Sequence, residues 1–341
     1  MSVAPASLLT IDRLRVEFNL PSGRVVGVKE ASIRIAPGEI VGLVGETGSG
    51  KSLMCRSVMR LVPPPGRIVA GQVEFDGRDV LAMSARELRE FRAHDVGMIY
   101  QDPFSSLNPV FRIGHQLTET LRVNLGLGSK EAHARAIALL QEVGIHDPER
   151  RALSYPHEFS GGMRQRVMIA LATASQPRLL LADEPTTALD VTTQAQILDL
   201  LTRLGRERDM AVLLVSHDFG VIAQVCDRVA VMYGGHIVET GPIETIYTDS
   251  QHPYTRGLLE SIPRLESAGQ ARRLPVIPGA PPDPAERAAG CVFMARCRYA
   301  QTSCEHVTMS LEAVSPGHDT ACPVRPFAVA ELVGARTGAR Q

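Results

Sequence analysis

The feature of this sequence that most constrains its fold is the octapeptide GETGSGKS at Gly45–Ser52. It fits the pattern G-x-x-x-x-G-K-[ST], in which glycines let successive backbone N–H groups converge on phosphate oxygens. Lys51 is placed to reach the β- and γ-phosphates, and the Ser52 hydroxyl to coordinate Mg²⁺. Residues 39–44 read as a buried strand entering the loop and residues 52–61 as a helix leaving it, with its N-terminal dipole facing the anion. We expect the whole loop to bind ATP through Gly45, Glu46, Thr47, Gly48, Ser49, Gly50, Lys51 and Ser52.

A second glycine-rich stretch, SGGMRQR, lies more than a hundred residues later, at Ser160–Arg166. Ser160 is predicted to cap a helix over residues 164–174, whose first N–H groups would face an anion. One nucleotide needs one phosphate-binding loop. The second loop therefore calls for a different role.

Two apolar strands end in polar residues. Residues 179–182 (LLLA) are followed by Asp183, placed to hold Mg²⁺, and by Glu184, placed to polarise the attacking water as general base. Residues 211–215 (AVLLV) precede His217, which as a neutral imidazole could contact the γ-phosphate or orient the water. The alternative for Asp183 and Glu184 is an ordinary acidic turn after a strand, and the alternative for His217 is a structural histidine.

Charge and hydropathy narrow the class of protein. The 341 residues include 36 basic and 37 acidic side chains, a balance that argues against bulk binding to nucleic acid or to a membrane surface. No apolar run reaches membrane-spanning length, and the start of the chain lacks a secretory signal pattern. We therefore expect a cytoplasmic protein.

The order of these motifs, with Gln101 in YQDP and the triplet at 188–190, resembles the ATP-binding subunit of ABC transporters over roughly residues 8–250. The resemblance implies an α/β fold, a P-loop cassette with a mixed sheet core (residues 1–250) and a helical subdomain at about 103–178. Within that subdomain, helical spacing predicts helices over 113–123 and 130–143, with glycine breaks at 126 and 144. The resemblance further implies that Gln101 joins Ser52 and Asp183 at Mg²⁺ and couples to membrane subunits through residues 102–109. It places Asp190 in the D-loop and makes His217 the switch histidine.

In this family two ATPases pack head to tail, and the signature loop of one closes over the nucleotide of the other. Ser160, Gly161 and Gly162 would form that loop here. Its sequence is FSGGM where the common form is LSGGQ, which favours a pair of unlike ATPases, although a homodimer stays open. The resemblance also points to Phe18 as the aromatic residue that stacks on adenine, the alternative being a buried strand residue.

From residue 251 the chain changes character. The proline-rich residues 276–284 predict a linker, and four cysteines follow with the spacing C-x5-C-x6-C-x17-C: Cys291, Cys297, Cys304 and Cys322. In a cytosolic protein such a set favours metal over disulfides. The residues alone leave open a zinc site, a [4Fe–4S] cluster or free thiols, while Cys55 and Cys226 fit buried core positions.

HPYT at 252–255, with the cysteine pattern, resembles the C-terminal extension of oligopeptide/dipeptide-type ABC importer ATPases, in which the cysteines are associated with an iron–sulfur cluster. This implies a small irregular extension over 251–341 and a peripheral protein at the cytoplasmic face of the inner membrane. The implied partners are a second paralogous ATPase, two transmembrane permease subunits and an extracytoplasmic binding protein, with no nucleic acid. The alternatives are nickel, glutathione or sugar cargo, or a soluble ABC ATPase outside transport.

Overall fold

The computed structural model describes residues 7–102, 106–187, 189–262, 275–282, 290–325 and 327. Two compact units alternate along the chain. The first unit comprises residues 1–9, 35–40 and 74–215, and the second comprises 10–34, 41–73 and 216–341. Each unit is therefore assembled from segments that are separated in the sequence.

The described strands are β1 (Leu9–Leu20), β2 (Gly23–Ile35), β3 (Ile40–Val44), β4 (Gly66–Phe75), β5 (Arg78–Asp79), β6 (Val96–Ile99), β7 (Leu179–Asp183), β8 (Ala211–Ser216), β9 (Arg228–Tyr233), β10 (His236–Pro242), β11 (Glu312–Ser315) and β12 (His318–Thr320). The described α-helices are α1 (Lys51–Val58), α2 (Ala85–Glu90), α3 (Ile113–Leu125), α4 (Ser129–Glu142), α5 (Pro148–Ala152), α6 (Gly161–Ala172), α7 (Val191–Glu207), α8 (Phe219–Val225), α9 (Ile243–Asp249) and α10 (Pro253–Glu260).

The first unit is built on three parallel strands, in the order β6, β7, β8. Every residue of β7 and β8 is buried, because parallel strands covered on both faces need continuous apolar runs. The two apolar segments predicted as strands are confirmed, each one residue longer than expected. Asp183 is the last residue of β7 and Ser216 is the last residue of β8. Each is the first polar residue after the apolar run of its strand.

The helical part of the first unit follows the predicted periodicity closely. Helix α3 ends at Gly126, whose φ of 68° is the left-handed conformation that glycine adopts most readily. Helix α4 ends just before Gly144, with φ 77°. Both helices bury leucines on one face, and these are Leu117, Leu121, Leu139 and Leu140.

In the second unit β3 runs parallel to β9, whereas β9 and β10 are antiparallel. The mixed sheet expected from the family resemblance is therefore present. β3 is buried at all five positions and leads through the glycine-rich loop into α1. A separate sheet contains β2, β1 and β4 in that order.

The C-terminal segment adds two short strands to the same sheet of the second unit, because β12 pairs with β10 and β11 with β12. The Glu239 carboxylate of β10 is fully buried. It accepts hydrogen bonds from the backbone N–H groups of Gln251 (2.5 Å) and His252 (3.2 Å), and lies 2.8 Å from Nε2 of His318. A buried carboxylate needs such partners, so this network fixes β12 and the start of α10 against β10.

The remainder of the extension, as far as the structure describes it, is irregular. Around the cysteines, the described residues 290–306 contain only the short 3₁₀ turns Met294–Arg296 and Thr302–Glu305. Residues 276–282 of the proline-rich linker have no regular structure, while Asp283 and Pro284 lie outside the described residues. None of the helices in the described part of the chain has the length and apolar character needed to cross a bilayer.

Candidate active site and four-cysteine cavity

The glycine-rich loop in the second unit has the geometry of a phosphate cradle. A Cβ at Gly45 would lie 2.1 Å from the Met232 carbonyl oxygen, and one at Gly50, where φ is 107°, would lie 2.5 Å from that of Gly27. Only glycine fits such close backbone approaches. Thr47 and Gly48 at the tip of the loop are exposed.

Lys51 begins α1 and is buried inside the loop, with 4% of its surface exposed. Its Nζ donates to the carbonyl oxygens of Gly45 (2.7 Å) and Glu46 (3.0 Å). The ammonium group therefore spans the loop from within. A phosphate entering the cradle meets a positive charge already held in place.

His217 and Phe18 were also assigned from sequence and belong to this unit. His217 is exposed and directly follows β8, as predicted from the strand end. Phe18 is half-buried on β1, where its ring lies against Gly27 and Gly66. These contacts fit both the adenine-stacking and the strand-packing interpretations of Phe18.

In the first unit Asp183 ends β7 and Glu184 directly follows it. Asp183 is fully buried, and Glu184 is half-buried with a φ of 49°, an uncommon backbone conformation for a residue other than glycine. Such strained positions cluster at functional sites.

The Glu184 carboxylate is oriented by two side chains. Nε2 of Gln101 donates to Oε2 of Glu184 at 2.9 Å, and the Thr187 hydroxyl donates to the same oxygen at 2.9 Å. Gln101 and Glu184, which belong to separate sequence motifs 83 positions apart, are therefore hydrogen-bonded to each other. Thr187 was not singled out in the sequence, and its place three residues after Glu184 in the same turn was the available signal.

The second glycine-rich stretch forms the N-terminus of α6. The Ser160 hydroxyl accepts a hydrogen bond from the Met163 N–H at 3.4 Å, which confirms the predicted cap. Helix α6 begins at Gly161, three residues earlier than expected. Ser160 and Gly161 are exposed, so this loop presents backbone N–H groups to the outside of the unit.

The signature loop packs on the start of α7. A Cβ at Gly162 would lie 2.6 Å from Cγ2 of Thr193, so a larger residue here would force the Thr193 side chain to move. Asp190 caps α7 by accepting from the backbone N–H and the hydroxyl of Thr193, at 2.9 and 2.7 Å. The backbone hydrogen bond from Thr193 is the largest cause of the lowered pKa of Asp190. Ala188, expected beside it in the D-loop, lies outside the described residues.

The four C-terminal cysteines line one cavity in the second unit, together with His252 and Phe293. None of them forms a disulfide. Burial raises the pKa of the Cys291 thiol to about 11, and a hydrogen bond with the Phe293 backbone offsets part of this rise. Burial also lowers the pKa of His252 to about 3. Cys55 and Cys226 are buried away from this group, as predicted.

The spacing of the cysteine side chains bears on the metal. Among the residues that the structure describes, no three histidine, cysteine or carboxylate side chains are arranged to hold a single metal ion. Four thiolates around one Zn²⁺, each about 2.3 Å from the ion, would lie about 3.8 Å apart. In a polynuclear cluster each thiolate binds a different iron, so the sulfurs are spread more widely. The four cysteines therefore share a cavity, and the described residues form no preformed single-ion site.

Two side chains from beyond residue 250 reach the phosphate-binding loop. The Glu46 N–H donates to the Tyr254 hydroxyl at 2.9 Å, and NH1 of Arg296 donates to Oε2 of Glu46 at 2.8 Å. Neither residue carries a recognised phosphate-binding motif. Only HPYT, as a motif of the extension, gave a sequence signal for Tyr254.

Comparison with known proteins places these motifs in a family. The model of the ABC transporter family matches residues 28–187, and that of the oligopeptide/dipeptide transporter C-terminal region matches residues 238–304. A putative peptide import ATP-binding protein of Brucella abortus, BAB2_1052, is 46% identical over 325 residues, covering 95% of this chain and 97% of its own. The chain belongs to the ABC transporter ATP-binding proteins.

Other relatives agree. The oligopeptide transport ATP-binding protein OppD of Bacillus subtilis is 47% identical over 294 residues, covering 86% of this chain and 82% of OppD. The dimeric structure of MJ0796, a bacterial ABC transporter cassette, superposes with a TM-score of 0.63 at 27% identity and covers 69% of this chain and 98% of that one. CbiO1 of Clostridium perfringens, at 24% identity and a TM-score of 0.62, shares the fold.

Membership of the ABC family makes this chain an ATPase that uses ATP and Mg²⁺. The loop at Gly45–Ser52 has the P-loop sequence pattern, and Asp183 and Glu184 stand at the carboxyl end of β7. Catalysis in such sites is largely electrostatic stabilisation and positioning of the transferred phosphoryl group and of the attacking water. At the end of β7, the Gln101 and Thr187 side chains orient the carboxylate of Glu184.

Proposed function

We propose that this chain is one of two non-identical ATPases that power an importer of dipeptides or oligopeptides. The observation that carries the proposal is the C-terminal region matched at residues 238–304, which is of the oligopeptide/dipeptide type. The names of the relatives, a peptide import protein and OppD, support the same cargo class. ATP hydrolysis by the cassette would supply the energy, and the extension would mark the transporter type.

Each site residue receives a role in this proposal. Ser52, Gln101 and Asp183 hold Mg²⁺, directly or through water, and Glu184 is the general base for the attacking water. His217 contacts the γ-phosphate, and Phe18 stacks on adenine. The oriented Glu184 carboxylate supports its assignment, because a general base must point at the proton that it removes.

The ATPase would bind two permease subunits at the cytoplasmic face of the membrane, below an extracytoplasmic binding protein. The segment that follows Gln101 supports a docking surface. Val110 is 70% exposed and Phe111 is 44% exposed, so two adjacent apolar side chains stand at the surface where a permease subunit would cover them. Part of the predicted coupling segment, residues 103–105, lies outside the described residues.

The exposed signature loop supports an ATP-bound dimer. With Ser160 and Gly161 on the surface, the N-terminus of α6 can be offered to the nucleotide of a second ATPase. Phe159 replaces leucine at a buried position, whereas Met163 replaces glutamine at a half-buried one and removes a side-chain donor. A weaker signature loop on one side is expected where two unlike ATPases share the work.

Cross-linking in the native complex tests this pairing. The complex is purified through this chain carrying Ser160→Cys, labelled with a thiol-directed photo-cross-linker and trapped with ATP. We expect cross-links to the P-loop peptide of a paralogous ATPase, with the permeases in the same preparation. Lys130→Cys, at an exposed position on α4, is the matched control. Cross-links from position 160 to this chain alone would reject the unlike pair, and permeases for nickel or glutathione would reject peptide cargo.

We also propose that Cys291, Cys297, Cys304 and Cys322 hold a [4Fe–4S] cluster. The common cavity of the four cysteines and the absence of disulfides among them support a shared metal group. Four thiolates satisfy the ligand count of such a cluster. ATP hydrolysis needs no electron transfer, so the group would serve the structure or regulation of the extension.

A further inference from the structure

The extension contacts the ATP site through a small set of side chains in the second unit. Arg296 lies in the 3₁₀ turn between Cys291 and Cys297, and its side chain is only 8% exposed. Its guanidinium donates to the Glu46 carboxylate at 2.8 Å, to the Tyr233 hydroxyl at 3.1 Å and, through Nε, to the Pro278 carbonyl oxygen at 2.8 Å.

Tyr254 provides a second contact from the same side. It is fully buried, and its hydroxyl accepts the N–H of Glu46 at 2.9 Å. Its ring lies 4.5 Å from that of Tyr233 and 5.5 Å from that of Phe293, measured between centroids. Because these rings are packed, the hydroxyl has little freedom to leave the loop.

The charge of Glu46 gives these contacts a consequence for ATP binding. Glu46 is the second residue of the P-loop, so its carboxylate places a negative charge beside the site for a polyanionic ligand. Unpaired, that charge would repel the phosphates. Arg296 neutralises it through a charge-assisted hydrogen bond and holds the side chain aside.

We propose that Arg296 and Tyr254 are positioning residues of the ATP site, through which the four-cysteine segment holds the P-loop in its phosphate-binding form. Arg296 acts on the carboxylate of Glu46 and Tyr254 on its N–H. The turn that presents Arg296 is closed by the backbone bonds Cys291 N–H to Cys304 O (2.8 Å) and Cys297 N–H to Met294 O (3.1 Å). The inference goes beyond the proposed transport function and is independent of which group the cysteines hold.

The test compares matched variants of the full chain in its complex. Arg296→Met removes the partner of Glu46, and Arg298→Met removes an exposed arginine two residues away. Tyr254→Phe removes only the hydroxyl, and Tyr247→Phe does so at a position that is 49% exposed. The readouts are the affinity for a fluorescent ATP analogue and hydrogen exchange of the peptide spanning residues 45–52.

We expect Arg296→Met to lower ATP affinity on the order of tenfold, and Tyr254→Phe by a smaller factor, each with faster exchange in the P-loop. The double variant Glu46→Gln/Arg296→Met should regain much of the lost affinity, because the unpaired carboxylate is gone. Both control variants should match the wild type. Affinity and exchange in Arg296→Met and Tyr254→Phe equal to those of the controls would overturn the proposal, as would purely additive losses in the double variant. Bound metal is measured in parallel, and its absence from all samples would reject the cluster without touching the role of Arg296.

Discussion

Replacing Glu184 by glutamine should reduce ATP hydrolysis by about 10²- to 10⁴-fold while leaving ATP binding intact, because only the general base is lost. The glutamine carbonyl can still accept the hydrogen bonds that Gln101 and Thr187 give to Oε2 of Glu184. The local geometry is therefore preserved. Phosphate release and nucleotide affinity, measured on the same preparation, separate the two effects.

The control for this variant is Glu207→Gln, which neutralises an exposed carboxylate at the end of α7 that pairs with Arg203. Hydrolysis should stay at the wild-type level there. Turnover by the Glu184→Gln complex within a few-fold of the wild type would remove Glu184 from the role of base. Loss of ATP binding together with hydrolysis would assign it to the nucleotide pocket instead.

Replacing Cys304 by serine should abolish the bound iron. Anaerobically purified wild-type protein is expected to be brown and to carry four irons per chain, as a [4Fe–4S] cluster requires. Cys304 is 5% exposed and lines the cavity with the other three cysteines, so a serine there removes one of four ligands. Iron content and visible absorbance are the measurements.

Cys55→Ala is the matched control, because Cys55 is a fully buried thiol in α1 that does not line the cavity. It should keep the iron. Colourless wild-type protein with one zinc per chain would contradict the cluster, and metal-free protein with four titratable thiols would contradict any metal. Both results would leave the ATPase assignment untouched.

The local parts of the ATP site could be predicted from the sequence because each is specified by its neighbours. The P-loop lies between an apolar strand and a helix, and Ser160 lies directly before another helix. The glycines and helix caps at these sites are required by the backbone conformation of the few residues around them. For this reason the strands around Asp183 and His217 were also bounded to within one residue.

Contacts between distant segments could not be predicted in this way. The bond from Gln101 to Glu184 and the bond from Arg296 to Glu46 join residues 83 and 250 positions apart. No periodicity or spacing encodes such pairs, since they depend on how strands are ordered and how the extension packs. The four cysteines were recognisable as a group, but their common cavity required the fold.

The exposed residues beside the motifs were likewise ambiguous from sequence. Val110 and Phe111 belong to a turn-rich stretch in which apolar residues would normally be expected to pack inward. Phe18 packs against glycines in its own sheet, a contact that suits a strand residue and an adenine platform equally. The role of such residues is defined only by the ligand or subunit that binds to them.

Peptide uptake by the reconstituted transporter tests the central claim most directly. The complex purified through this chain is placed in vesicles with its binding protein, and entry of a labelled oligopeptide is followed with ATP on the cytoplasmic side. We expect uptake that requires ATP and Mg²⁺ and stops with Glu184→Gln. ATP hydrolysis that proceeds without peptide movement, and responds instead to DNA or ribosomes, would contradict a role in peptide import.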